Sequence, residues 1–143
     1  MRWKKMAMDE KIEKFISKHH LLSLATFGES LWCCSAFYAF DADAVVFIIA
    51  SDEQTMHIQN IKMNMRVAGT IAQETKVVGK IQGIQFSGNI TTVEDEREKN
   101  LYLKRFPYAV AMNPTLWKIE LDTIKMTDNT LGFGKKLIWK REL

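Results

Sequence analysis

The chain has 143 residues, of which 47% are apolar and 26% charged, with 20 Lys and Arg against 17 Asp and Glu. This length is typical of one domain, and the composition excludes a largely disordered chain. A net charge of +3 is too small to indicate nucleic-acid binding. The longest apolar run, Ala44 to Ala50, is too short to cross a bilayer. We therefore expect a single domain over residues 1–143 with no nucleic-acid or membrane partner.

The N-terminus and the cysteines both favour the cytoplasm. Arg2, Lys4 and Lys5 are not followed by an apolar segment, so no targeting signal is predicted. The only cysteines, Cys33 and Cys34, are adjacent, and neighbours on a strand point to opposite faces, which prevents a disulfide between them. Their spacing matches no redox or metal motif. We expect them to be small, buried apolar residues in a reducing, cytoplasmic compartment.

The first predicted elements are a helix and three strands. Asp9 can cap the helix, and Ile12, Phe15 and Ile16 share one of its faces. The strands are separated by short turns, which is typical of an antiparallel meander. They are Leu22 to Phe27, Leu31 to Phe40 and Val45 to Ala50. The last of these is apolar without alternation, so both of its faces should be buried.

A second helix is predicted to open at Ser51, directly after the buried strand. Ser51 and Gln54 fit the capping-box pattern, in which each side chain bonds a free N–H group of the helix start. Such a start can bind an anion such as phosphate, and Thr55 and His57 add polar groups there. An ordinary capped helix explains the same spacing, so both interpretations stay open.

The rest of the chain adds strands and one more helix. The predicted elements are strand Met65 to Gln73, strand Val77 to Val93, helix Glu94 to Phe106, strand Leu116 to Asp122 and strand Leu137 to Trp139. Gly79, Gly83 and Gly88 inside one strand indicate bulges or bends, which a barrel needs in order to close. A repeating βα alternation is absent. We therefore expect an α+β fold, an antiparallel β-barrel of six to seven strands with flanking helices.

Four aromatic residues lie on one predicted strand: Trp32, Phe37, Tyr38 and Phe40. Aromatic residues are usually core, but at positions facing a partner chain they can also form part of a slot for a flat ligand. The chain has three histidines and no G-x-S-x-G motif, so neither a nucleophile triad nor a metal site is predicted.

A glycine- and lysine-rich stretch, Gly-Phe-Gly-Lys-Lys, covers residues 132–136. It lacks the residues that a Walker loop or a dinucleotide fingerprint requires. It can be a hairpin with a basic rim, or a flap that brings Lys135 or Lys136 to a bound phosphate or ring. The spacing alone favours the hairpin.

Several segments together resemble the pyridoxamine 5′-phosphate oxidase-like FMN-binding split barrels. They are Leu31 to Tyr38, Thr55 to His57 and Asn64 to Gly69. Arg105-Phe106-Pro107 and the ending Thr127 to Lys136 are similar to a small uncharacterised bacterial subgroup of that superfamily. The resemblance implies an antiparallel split β-barrel that forms a homodimer with FMN at the interface. It further implies a flavin-binding protein, or a small flavin-dependent oxidoreductase of unidentified substrate.

The resemblance also implies which residues bind the cofactor. In such proteins the second strand runs along the flavin ring, the end of the third strand lines it, and the second helix holds the phosphate. The expected cofactor-binding residues are therefore Cys33, Cys34, Ser35, Ala36, Ala50, Ser51, Thr55 and His57. Lys135 is added to this set from the flap interpretation of residues 132–136. No catalytic residue is assigned.

Two departures from the family pattern bear on function. Thr55-Met56-His57 stands where Ser-Arg-Lys is common, and each missing charge-assisted contact weakens phosphate binding by roughly 1.5–3 kcal/mol. This motivates an alternative, a non-enzymatic binding module of the same fold for another flat anionic ligand, such as heme or a different flavin. The ending Lys140 to Leu143 lacks the proline-containing segment of the oxidases proper, so pyridoxamine 5′-phosphate oxidase activity itself is not expected.

Overall fold

The computed structural model describes residues 7–142, so Arg2, Lys4, Lys5 and Leu143 lie outside the described residues. Within that range the chain forms seven strands and four α-helices. The strands are β1 (Leu21–Phe27), β2 (Leu31–Asp41), β3 (Val46–Ala50), β4 (Arg66–Ala72), β5 (Gln82–Thr92), β6 (Leu116–Asp128) and β7 (Lys136–Lys140). The helices are α1 (Glu10–Lys18), α2 (Met56–Met63), α3 (Glu96–Arg105) and α4 (Ala109–Met112).

Six of the strands close into a barrel. The sheet has the order β3-β2-β1-β4-β5-β6-β7, and β3 also pairs with β6. Strand β6 is long enough to have two neighbours on one side: residues 116–120 pair with β3 and residues 123–127 with β7. All of the pairings are antiparallel, which confirms the expected α+β barrel with flanking helices.

Gly88 marks a bend in the barrel wall, as its place in a long strand predicts. The register between β5 and β6 shifts between Ser87 and Gly88. A Cβ atom on Gly88 would lie 2.3 Å from the Glu120 carbonyl oxygen, so only glycine allows β6 to approach this closely.

The core has two parts, one inside the barrel and one outside it. Helix α1 contributes Ile12, Phe15 and Ile16 to the interior cluster, and the Tyr38 hydroxyl donates to the Ile16 carbonyl oxygen at 2.6 Å. Helix α3 covers the outer side of β3, where Tyr102 joins a second cluster. Strand β3 is therefore buried on both faces, as its unbroken apolar sequence predicts.

Two predicted boundaries are wrong, and one element was missed. The strand predicted from Val77 is a 3₁₀ turn at Val78–Lys80, closed by the Lys80 N–H donating to the Val77 carbonyl oxygen at 2.9 Å, and β5 begins only at Gln82. Val77 and Val78 are about half exposed. These apolar residues therefore belong to a surface loop and not to a paired strand. Strand β6 continues well past Asp122, because β7 gives its second half a partner. The short helix α4 was not predicted.

Two aspartates of β6 should make the fold sensitive to acid. Ser87 and Arg66 donate to the Asp122 carboxylate, and Gln82 and Thr130 donate to Asp128. Burial by itself raises the pKa of each carboxyl group, but these hydrogen bonds outweigh it and hold both pKa values below their usual range. A carboxylate with a lowered folded-state pKa stabilises the fold above its unfolded pKa, and that contribution is lost as the pH falls through the folded value.

We therefore expect the free energy of unfolding, measured in urea, to fall as the pH drops below about 4. Asp128→Asn should lower stability at pH 7 and flatten this pH dependence, because it removes one of the two groups. The exposed Glu29→Gln variant is the control and should keep the wild-type profile. An unchanged profile in Asp128→Asn would contradict the assignment.

Candidate functional site

The first half of β2 has a strand neighbour on one side only. Residues 31–37 pair with β1, whereas β3 begins to pair at Tyr38, opposite Ile49. Among the described strands none covers the outer edge of residues 31–37. This open edge leaves backbone N–H and C=O groups available to a ligand or a second chain.

The structure corrects the expectation that both cysteines are buried. Cys33 and Ser35 are exposed, and Cys34 and Ala36 are half-buried. Both thiols are free, and burial raises the pKa of Cys34 to about 11. Cys33 lies on the outer face of β2 and is not a core residue, whereas Cys34, on the opposite face, packs partly against the interior core.

The aromatic residues of β2 divide between the two alternatives. Tyr38 is fully buried, and Phe40 packs partly against the same core. Trp32 and Phe37 are about half exposed, at 49% and 52%. The core interpretation therefore holds where β3 pairs with β2 and fails along the open edge.

The end of β3 holds Ser51 in place through its backbone. The Ser51 N–H donates to the Thr115 carbonyl oxygen at 3.0 Å, and the Trp117 indole N–H donates to the Ser51 carbonyl oxygen at 3.0 Å. Ala50 and Ser51 are both half-buried. The strand pairing between Tyr38 and Ile49 brings this end of β3 alongside the open edge of β2.

The predicted capping box of Ser51 and Gln54 is wrong. Helix α2 begins at Met56, and its N-cap is Thr55, whose Oγ1 accepts from the Ile58 N–H at 3.4 Å. A turn precedes the helix, in which the Asp52 carboxylate accepts from the Gln54 N–H at 2.7 Å. This extra turn moves the helix start beyond Ser51, so the Ser51 hydroxyl is not used for capping.

Three of the predicted site residues meet at one atom. The Nε2 of His57 makes a short contact with Ser51 Oγ and lies 3.2 Å from Thr55 Oγ1. All three side chains are half-buried. Burial lowers the pKa of His57, which favours the neutral imidazole near pH 7. The structure thus joins Ser51, Thr55 and His57 into one polar cluster without a fixed charge.

Asn60, which the sequence analysis did not single out, anchors α2 to β1 and to the β1–β2 turn. Its side chain is 2% exposed, and its Nδ2 donates to Thr26 Oγ1 at 3.1 Å and to the Ser30 carbonyl oxygen at 3.0 Å. Gly28 permits this contact, since a Cβ there would lie 2.5 Å from Asn60 Oδ1. The glycine in the β1–β2 turn was the one sequence signal for this close approach.

Within residues 7–142, Lys135 is not part of the hydrogen-bond network around Ser51, Thr55 and His57. It is exposed in the β6–β7 loop, where its carbonyl oxygen accepts from the Asp128 N–H at 3.0 Å. Asn129 Nδ2 donates to the Val78 carbonyl oxygen at 2.8 Å and holds this loop against the 3₁₀ turn. Among the described residues no hydrogen bond links Lys135 to Ser51, Thr55 or His57.

A separate cavity of about 390 Å³ lies between the end of β5 and the start of α3. Val93, Asp95, Lys99 and Leu116 are among its lining residues, and none of the predicted site residues is. In the described part of the chain, no His, Cys, Asp or Glu side chains form a group of three that could hold a metal ion. No helix of residues 7–142 has the length and apolar character needed to span a membrane.

Comparisons with solved structures agree with this fold. A heme-binding protein from Mycobacterium smegmatis superposes with a TM-score of 0.76 at 11% identity, over 96% of this chain and 60% of that chain. HutZ, the heme storage protein of Vibrio cholerae, superposes with a TM-score of 0.64 at 15% identity, over 82% of this chain and 92% of that one. At such low identity the likeness shows the fold alone.

Comparisons of sequence show the family as well as the fold. A UPF0306 protein of Photorhabdus laumondii is 40% identical over 134 residues, which cover 91% of this chain and 94% of that protein. The UPF0306 protein YhbP of Escherichia fergusonii is 44% identical over 134 residues, 91% of each chain. The family model described as pyridoxamine 5′-phosphate oxidase matches residues 8–127. The chain therefore belongs to the pyridoxamine 5′-phosphate oxidase-like family of split barrels, within its UPF0306 group.

Proposed function

We propose that this chain binds FMN at the interface of a homodimer and acts as a small flavin-dependent redox protein of the cytoplasm. The observation that supports the proposal best is the open edge of β2, which runs beside the Ser51, Thr55 and His57 cluster. Membership of the pyridoxamine 5′-phosphate oxidase-like family also supports FMN as the ligand.

The residues of the open edge suit a flat, polar-edged ring. Cys33, Cys34, Ser35 and Ala36 have small side chains, so a planar ligand can approach the backbone closely. Unpaired N–H and C=O groups along the edge can bond the polar side of a ring, and the half-exposed Trp32 indole offers apolar area nearby.

A second copy of the chain would cover surface that is costly to leave in water. Leu31 and Phe37 of β2, together with Leu21 and Phe27 opposite them in β1, are between 50% and 76% exposed. An exposed edge strand with apolar neighbours is prone to unspecific pairing unless something covers it. This surface supports the proposed homodimer.

The proposed site assigns separate roles to the cofactor and to the residues that would hold it. When bound, FMN would supply the hydride or electron transfer. The open edge would orient the ring, and Ser51, Thr55 and His57 would bind the ribityl end of the ligand. Lys135 stays a prediction, since no hydrogen bond among the described residues links it to this cluster.

A second candidate function is heme binding without catalysis. Two of the structural neighbours are named for binding or storing heme, and the site lacks fixed phosphate-binding cations. Heme is also flat and anionic, so the same cleft could take it. An added-ligand experiment can therefore decide between the two.

Titration with FMN should quench flavin fluorescence with a Kd in the micromolar range, about −8 kcal/mol. Ser35→Trp should weaken binding at least tenfold, because Ser35 is exposed on the open-edge half of β2 and the indole would occupy the space that a ligand needs there. Ala111→Trp, an exposed position on α4, is the control and should bind FMN normally. Circular dichroism shows whether each variant folds.

A protein that ignores FMN at millimolar concentration but gives a Soret shift with hemin would contradict the flavin proposal and favour the second candidate. Light scattering tests the dimer, and a monomer at micromolar concentration would count against a shared site.

A further inference from the structure

We infer that the Ser51, Thr55 and His57 cluster recognises its ligand through neutral hydrogen-bond donors rather than through charge. It would therefore bind flavins with an uncharged ribityl end, such as riboflavin, nearly as tightly as FMN. This inference rests on the proposed flavin-binding function and specifies which flavins the site accepts.

The direction of the hydrogen bonds identifies the free donor. Thr55 Oγ1 donates its proton to the Asp52 carbonyl oxygen at 2.8 Å, because a carbonyl oxygen can only accept. Toward His57 Nε2, at 3.2 Å, Thr55 can then act only as an acceptor. The network therefore assigns the proton of the neutral imidazole to Nε2.

This tautomer determines what Ser51 can do. With Nε2 carrying the one proton of the neutral ring, this N–H is shared between the two hydroxyl oxygens, and Ser51 Oγ accepts from it in their short contact. The hydroxyl proton of Ser51 has no other hydrogen-bond acceptor among the described residues, so it can be donated to a ligand oxygen. His57 is thus a positioning residue for a serine donor, and it does not act as a base toward that serine.

The charges around the cluster do not favour a dianion. Residues 50–57 contain Asp52 and Glu53, both exposed, and no Lys or Arg. Lys62 follows in the last turn of α2, about 10 Å along the helix axis from Thr55. Burial also lowers the pKa of His57, so the imidazole adds no positive charge near pH 7. A neutral donor bonds an anionic phosphate oxygen more strongly than a hydroxyl, but the dianion also loses more hydration on entering the cluster. Without a cation these two effects oppose each other, so the preference for phosphate should be small.

Isothermal titration with FMN and with riboflavin at pH 7.5 tests the inference. We expect the two Kd values to agree within about threefold, which corresponds to less than 1 kcal/mol. A preference for FMN of thirtyfold or more would overturn the inference, and it would mean that a cation from elsewhere, such as Lys135, reaches the phosphate. Binding of neither flavin would overturn the proposed function and this inference with it.

A charge-adding variant sharpens the test. His57→Arg should raise the affinity for FMN over riboflavin at least tenfold, since it adds a fixed cation at the cluster. Met56→Arg provides a second variant should His57→Arg fail to fold. Met63→Arg adds the same charge at the other end of α2 and should leave the ratio at the wild-type value. Equal ratios in all of the variants would overturn the inference.

Discussion

Gly69→Ala should destroy most of the stability of the fold. Gly69 lies in β4 opposite Leu24 of β1 and Phe86 of β5. A Cβ atom there would lie 2.1 Å from the Ser23 carbonyl oxygen and 2.4 Å from the Phe86 ring. The carbonyl belongs to the backbone of a paired barrel strand, so it cannot move aside without breaking the ladder. We expect a loss of more than about 4 kcal/mol, a large part of the total for a domain.

The matched control for this variant is Gly79→Ala. Gly79 lies in the 3₁₀ turn, and a Cβ there would meet nothing within 4 Å. Urea denaturation of both variants should show a change within about 0.5 kcal/mol for Gly79→Ala. Similar losses in the two variants would show that close approach in the barrel wall is not the cause.

Arg141→Ala should be the second most damaging substitution. The guanidinium of Arg141 donates to three carbonyl oxygens, those of Leu121 at 2.7 Å, Ala44 at 2.8 Å and Val45 at 3.0 Å. Val45 has a positive φ of 56°, a backbone conformation that is strained for a β-branched residue. Arg141 therefore holds the C-terminal segment against the turn at Ala44 and Val45, whose backbone conformation is unfavourable for valine.

We expect Arg141→Ala to cost about 3 kcal/mol, because three buried or half-buried carbonyl groups lose a charged donor. In differential scanning fluorimetry this corresponds to a fall in Tm of about 10 °C. Arg141→Lys should recover part of the loss, since an ammonium group cannot reach all three oxygens in the geometry of the fork. The exposed neighbour in Lys140→Ala should change Tm little, and an equal fall in both alanine variants would contradict the argument.

The role of Arg141 also bears on the ending of the chain. The sequence analysis used the missing proline-containing segment to argue against pyridoxamine 5′-phosphate oxidase activity. In the structure the arginine of that ending faces backbone carbonyls of the barrel. Its Nε and Nη2 groups donate to the barrel, so this side chain has a structural role.

Much of the fold could be predicted because strands carry their burial pattern in the sequence. Alternation in residues 116–122 placed Trp117, Ile119 and Leu121 inside, and the unbroken apolar run of β3 predicted burial on both faces. The glycine pattern of the long strand predicted the bend at Gly88. Each of these features depends on which face of one element is apolar, and periodicity reports that directly.

The candidate site was predicted less well, because it depends on edges and loops. The residues around Ser51 were singled out for a capping box that the structure replaces with an extra turn and a Thr55 cap. Both cysteines were expected to be buried, but Cys33 lies on the outer face of β2, and a pair of adjacent cysteines does not reveal which of the two faces the core. Asn60 was missed because a lone buried amide leaves no periodic signal.

By itself, the sequence determined the order of the elements, the antiparallel barrel and the family of this chain. The tertiary structure alone decided that β3 closes the barrel on β6, that residues 31–37 keep an open edge, and that Ser51, Thr55 and His57 meet at one nitrogen atom. The physical reason is that the spacing of apolar residues within a segment shows which of its faces is buried. Which strand lies beside it, and which side chain a loop brings to it, depends on contacts between segments far apart in the chain.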